Sequence, residues 1–305
     1  MRDDRAEASQ ADAPPQFSEL PSRTEPNSVT AAGSHLRERP APAAEQPEGD
    51  HRAQSTLGQL GLMGSEVALP WGEITDEPVF SHRGVLLDVC RHFFTVDEVK
   101  RHLDIMALYK FNVLHWHLTE DQGWRIAMDQ YPRLADIAAF RMYGDSTYGG
   151  SYNREDLQEV VSYAAGYGIE VIPEIEMPGH SRAALAAYPE FSCTGKKQEV
   201  PGLWGVFNDI YCSKEETLRF MKDVLTEVLE LFPADYIHIG GDEAPKFPWE
   251  HCSACQNVMK INGLADEHEL QSYFIGEIDA FLTQGGRKII GWDEILEGGL
   301  HQMLL

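Results

Sequence analysis

Tyr236-Ile237-His238-Ile239-Gly240-Gly241-Asp242-Glu243 is an apolar and aromatic run that stops at two glycines and two adjacent carboxylates. Such a run reads as a buried strand ending in a site, because glycine marks the place where a strand must bend or be approached closely. Neighbouring acids repel, so holding both at a strand end costs free energy unless their environments differ. Asp242 and Glu243 are therefore the first candidates for chemistry. With Asp242 ionised, its charge and partial burial would favour the protonated form of Glu243, giving a proton donor at neutral pH. An exposed acid next to a helix N-cap is the plainer alternative.

Working outward, the same unit recurs: a short apolar strand, a polar cluster at its C-terminal end, then an amphipathic helix. Strands are expected at 84–90, 111–118, 169–175, around the opening stretch, and at 288–292. Thr95 with Glu98 and Ser213 with Glu216 have the spacing of capping boxes, and Asn153 caps a third helix. Val96, Val99, Leu103 and Met106 share one helix face, as do Leu157, Val160, Val161 and Ala164. Helices between strands imply a parallel sheet. An open doubly wound sheet and a closed barrel both satisfy that, but ionisable residues follow almost every strand, which is the habit of the (β/α)8 TIM-type barrel. Five strands are legible where such a barrel has about eight. The expectation is thus an α/β chain with an incomplete barrel, about five of eight strands, over residues 76–305, stopping before the later strands.

Residues 1–75 read as a disordered or linker segment, with seven prolines between Pro14 and Pro47 and no apolar periodicity. No apolar run approaches the roughly 20 residues of a membrane span, and the start Met1-Arg2-Asp3-Asp4-Arg5 lacks a signal-peptide core. A formal net charge of -24 would repel phosphate backbones and anionic membranes, so nucleic acid is not an expected partner. The five cysteines are odd in number and scattered, which argues against a disulfide framework. His251-Cys252-x-x-Cys255 offers three metal ligands without a clear fourth, so no metal site is expected.

The other strand ends supply further candidates. Arg91 follows the first strand, where a guanidinium could hold two neighbouring sugar hydroxyls or pair with a loop acid such as Asp121. His115 and His117 share one strand face, as a metal pair or as satisfied wall residues. Glu120 and His180 follow the second and third strands and could form a carboxylate-imidazole-carboxylate chain with Glu243; His180 could equally cap the next helix. Trp124, Trp204, Trp249 and Trp292 offer indole faces on which sugar rings stack, or fill the core.

Taken together, the ordered motifs Leu87-Asp88-x-x-Arg91-His92-Phe93, His115-Trp116-His117-Leu118-Thr119-Glu120-Asp121-Gln122-Gly123-Trp124-Arg125, Pro173-Glu174-Ile175-Glu176-Met177-Pro178-Gly179-His180, His238-Ile239-Gly240-Gly241-Asp242-Glu243 and Gly291-Trp292-Asp293-Glu294 resemble the family-20 glycoside hydrolases, the β-N-acetylhexosaminidases. The resemblance implies a barrel enzyme that removes terminal N-acetylglucosamine or N-acetylgalactosamine from an oligosaccharide or glycoconjugate with retention, using the substrate's own 2-acetamido oxygen as nucleophile and no cofactor. It implies Glu243 as general acid then base, Asp242 as the residue orienting the acetamide, and His180 as the histidine linked to the acid. Arg91 matches the arginine that grips sugar hydroxyls, while Glu120 stands where many members carry Asp. Trp292 matches an aromatic wall of the acetamide pocket, and Tyr273 is a second aromatic candidate for it. Members usually carry a small α+β domain ahead of the barrel, which residues 1–80 do not resemble, and later residues that complete the pocket. The implied location is extracytoplasmic. Another retaining glycosidase with a carboxylate nucleophile, or an inactive sugar-binding barrel fragment, remains the alternative.

Overall fold

The computed structural model describes Ser55, Thr56, Gln59 and residues 75–299. The expected linker at 1–75 lies, apart from those few positions, outside the described residues.

The chain runs through β1 (Gly84–Asp88), α1 (Val96–Leu108), β2 (Val113–His117), and two small hairpins, β3 (Thr119–Glu120) with β4 (Gly123–Trp124) and β5 (Phe140–Tyr143) with β6 (Ser146–Gly149). Then come α2 (Arg154–Ala165), β7 (Glu170–Glu174), α3 (Arg182–Ala187), α4 (Glu215–Leu231), β8 (Tyr236–His238), α5 (Phe247–Glu250), α6 (Ser253–Asn262), α7 (Glu267–Gln284) and β9 (Lys288–Ile290). β1, β2, β7, β8 and β9 form one sheet in that order, every pair parallel. The order never reverses, so the sheet has no switch point of the doubly wound kind. It advances strand by strand, as a barrel wall does.

Local chemistry accounts for the helix starts. Thr95 and Glu98 close a capping box at α1, and Asn153 and Asp156 close one at α2. Asp266 accepts from the His268 and Glu269 amides to cap α7. The box expected of Ser213 and Glu216 does not form: α4 begins at Glu215 with Lys214 at the cap, and Ser213 Oγ is buried without a hydrogen-bond partner among the described residues. Cys212, next to it, is in a cluster of sulfurs. Val99, Leu103 and Met106 of α1, Leu157 and Val160 of α2, Leu225 and Val228 of α4, and Phe274 and Ile278 of α7 join Leu114, Val171 and Ile237 of the strands in one core. Val96 and Val161 are only half buried at its edge. Each fully buried side chain of this kind contributes about 1.5–3 kcal/mol.

Register carries the fold to the site. Asp88 faces His117, His117 faces Glu174, and Glu174 faces His238, so four consecutive strands end in one row of ionisable residues.

Candidate active site

Period-two geometry puts His115 and His117 of β2 on one face, and Glu174 with Glu176 on the matching face of β7 and its continuation. Glu174, fully buried, is the hub. Its carboxylate lies 2.8 Å from His115 Nε2, 2.9 Å from His238 Nδ1 and 3.8 Å from His117 Nδ1, and accepts a 3.1 Å hydrogen bond from the Trp292 indole N–H. Burial alone would push Glu174 up, but the close imidazoles of His115 and His238 and the nearby charge of His117 outweigh it and hold the carboxyl far below its usual range. The histidines thus gather around one buried carboxylate, an arrangement that serves either of the two readings open from sequence.

Glu176 lies 3.4 Å from His117 Nε2. Complete burial and the charges of Glu174 and Asp242 push Glu176 up to about 8, against the pull of His117. His117 is pushed up to about 9, because hydrogen bonding to Glu176 and the charges of Glu174, Glu176 and Asp88 overcome its burial. Both values exceed those of the unfolded chain, so the folded protein binds more protons than the unfolded one up to about pH 9. The pair's contribution to stability is present in full below the unfolded values and is lost as pH rises through 8 and 9. The unfolding temperature of the wild type is therefore expected to fall from pH 7 to pH 9, with a shallower fall in Glu176→Gln. A level or rising melting profile across that interval in scanning fluorimetry would contradict this.

The Gly-Gly turn has a steric cause. Gly240 and Gly241 have φ of 65° and 96°, and a Cβ on Gly240 would lie 1.7 Å from Glu176 Oε2, one on Gly241 2.2 Å from Ile295 Cγ2. The backbone therefore passes close over the Glu176 carboxylate and presents the next two side chains at the sheet's C-terminal end. Glu243 and His180 both sit in the left-handed region, with φ of 46° and 45°, a strain that folded proteins retain mainly at functional sites.

These residues meet. His180 Nδ1 is 2.9 Å from Glu120 Oε1 and 3.4 Å from Asp121 Oδ2, while its Nε2 is 3.5 Å from Glu243 Oε2 and 3.6 Å from Asp242 Oδ2. Although burial opposes it, the surrounding Asp121, Asp242 and Glu120 hold the imidazole well above its ordinary value, as a cation. Arg91 continues the chain, with Nη2 3.0 Å from Glu120 and Nη1 donating to Asp88 at 2.9 Å. Its acid partners are thus Asp88 and Glu120 rather than Asp121, which instead accepts from the Arg182 amide. The expected buried pair is only partly buried: the Asp242 side chain is 24% exposed and that of Glu243 50%. Within Asp242, however, Oδ1 is buried and has no hydrogen-bond partner among the described residues.

Trp292 arrives by its own backbone, its N–H donating to the Gly240 carbonyl, and its ring meets the His238 ring edge-on at 4.9 Å. Tyr273 does not reach the site. On α7 it turns toward α4 and α6, lining a cleft of about 640 Å³ with Lys214, Leu218 and Val258. Helical phase decides this, since Gln271, two residues earlier, is the one that donates to the Gly241 carbonyl. Trp124 and Trp249 are core, and Trp204 is exposed. Asp88 and Glu174 were not among the sequence candidates, although the alternation Pro173-Glu174-Ile175-Glu176 opposite His115-Trp116-His117 held the signal. Elsewhere, Cys193 and Cys212, far away in sequence, join Cys252 and Cys255, and His251 stays outside that group.

A parallel barrel wall whose C-terminal loops converge on carboxylates around a charged imidazole is the common ground of barrel enzymes that use acids and bases. The chain belongs to glycosyl hydrolase family 20: the model of that family's catalytic domain matches residues 80–304. A beta-hexosaminidase of Porphyromonas gingivalis is 54% identical over 77% of this chain and 30% of its own length. The solved beta-N-acetylhexosaminidase of Bacteroides fragilis is 41% identical with a TM-score of 0.75, covering 81% of this chain and 49% of that one. The exo beta-N-acetylglucosaminidase of Vibrio harveyi, solved with N-acetylglucosamine, is 33% identical with a TM-score of 0.72, covering 82% and 42%. The chain thus spans about half or less of the length of these relatives. Among the described residues no helix is long and apolar enough to cross a membrane.

Proposed function

We propose that the chain carries the acid-base half of an exo-acting β-N-acetylhexosaminidase site, which releases terminal β-linked N-acetylglucosamine or N-acetylgalactosamine with retention. The observation that carries this reading is Asp242 Oδ1, a buried acceptor without a hydrogen-bond partner among the described residues, beside a half-exposed Glu243. A buried carboxylate oxygen left open costs free energy unless a ligand donor meets it. An acetamide N–H is such a donor, and holding it aims the acetamide oxygen at the anomeric carbon. Glu243 protonates the departing oxygen and then takes a proton from water, while Asp242 stabilises the positive oxazolinium-like intermediate. Charged His180 sits against both acids, Arg91 presents its guanidinium to sugar hydroxyls, and Trp292 forms an apolar wall. Residues 76–305 would be the barrel domain that carries these groups.

Asp242→Asn is expected to weaken binding of a thiazoline mimic of the cyclic intermediate by about 10–100-fold, the worth of a charged hydrogen bond. Calorimetric titration of both proteins checks it, and equal affinity would remove Asp242 from the orienting role. A covalent glycosyl-enzyme trapped on either acid and seen by mass spectrometry would replace the substrate-assisted reading with a carboxylate nucleophile.

A further inference from the structure

Cys193, Cys212, Cys252 and Cys255 come from three separate stretches of chain and converge in an apolar pocket with Ile210, Trp249, Met259 and Leu270. None is in a disulfide. We propose that the four thiolates bind one zinc ion, a structural staple between the loop after β7 and the segment that follows the Asp242-Glu243 turn.

Distance is the first argument. Cys193 and Cys255 sulfurs are 3.7 Å apart, Cys212 and Cys255 3.5 Å, and Cys212 and Cys252 3.8 Å, with all four within 4.8 Å of one another. A tetrahedron with zinc–sulfur bonds of about 2.3 Å has edges of about 3.8 Å. A disulfide needs about 2.05 Å. Two sulfurs, those of Cys212 and Cys255, are each near two others at once, as the sulfurs around a shared ion are and as the members of an isolated pair are not. Donor chemistry is the second. Four thiolates are a complete ligand set for a closed structural zinc site, without a water position. Cys252 is the N-cap residue of α6 and Cys255 lies in its first turn, where helix amides favour thiolate. Zinc displaces the thiol protons to solvent, and no redox step is involved.

Placement gives the site a purpose. Cys252 lies nine residues beyond Glu243. Between them, the Trp249 indole donates to the Tyr211 carbonyl, Tyr211 donates to the Pro178 carbonyl, and Cys212 donates its amide to Phe191. The cluster therefore ties the loop that presents His180 to the segment that presents Glu243.

Metal analysis of the purified wild-type protein, prepared without added metal, is expected to find about one zinc per chain. A mercurial thiol reagent should release it to a chromogenic zinc indicator in step with thiol loss. Protein reconstituted with Co(II) should show thiolate-to-cobalt charge transfer and the visible bands of a tetrahedral site. Cys193→Ser and Cys255→Ser should each lose at least about tenfold in zinc affinity. Zinc-free protein with all thiols titratable would overturn the proposal. So would an intact mass lower by four hydrogens under denaturing, non-reducing conditions, or iron in place of zinc. These wild-type measurements decide the matter even if the serine variants do not fold.

Discussion

Glu243→Gln is expected to lower turnover of a nitrophenyl β-N-acetylglucosaminide by about two to four orders of magnitude, the usual worth of a positioned general acid and base. The amide keeps the shape of the side chain but can neither give nor take the proton. Half of the Glu243 side chain is in solvent and its one close ion-pair partner among the described residues is His180 at 3.5 Å, so the variant should melt within about 1 kcal/mol of the wild type. Loss of turnover would then report chemistry rather than unfolding. The loss should shrink when the leaving group is a strongly acidic phenol, which departs without protonation. Wild-type turnover in Glu243→Gln would dispose of the acid-base assignment.

Glu174→Ala is expected to cost about 3–5 kcal/mol, the penalty for removing one partner from a buried charged network. Against a total stability of about 5–15 kcal/mol, that is enough to unfold much of the population at growth temperature. The alanine would take the carboxylate away from the His115 and His238 imidazoles, leave the Trp292 N–H without its acceptor, and remove a negative charge 3.8 Å from charged His117. Linkage gives an independent sign. The folded carboxyl lies far below its unfolded value, so its stabilisation is present in full above the unfolded carboxylate pKa and is lost progressively as pH falls from there toward the folded value. Urea melts of the wild type should therefore weaken on acidification below about pH 5, and the alanine variant should lack that component. A cost under about 1 kcal/mol at neutral pH would show that the hub is not the centre of the wall.

Glu243 and Glu174 have different roles. Glu243 is a working group on strained backbone at the surface of the site, while Glu174 is a buried organiser that touches no solvent. From the sequence both are acids at strand ends. Burial and partner number, which only packing reveals, tell them apart.

Local pattern was enough for the strand-helix alternation, the α1 and α2 capping boxes, and the Gly-Gly turn, because each depends on residues within a few positions of one another. It also placed Arg91, Glu120, His180, Asp242 and Glu243 at the same end of the sheet, since in a parallel sheet every strand points the same way. Tertiary structure decided what depends on chain segments far apart: that Glu120 and Asp88 share Arg91, that Tyr273 faces away, and that four cysteines spread over 63 positions, 193 to 255, meet within 4.8 Å. The reason is physical. Hydrogen bonds at caps and turns are written in neighbouring residues, whereas the depth of a carboxylate and the meeting of distant sulfurs follow from how helices settle on the sheet, which no single stretch of sequence specifies.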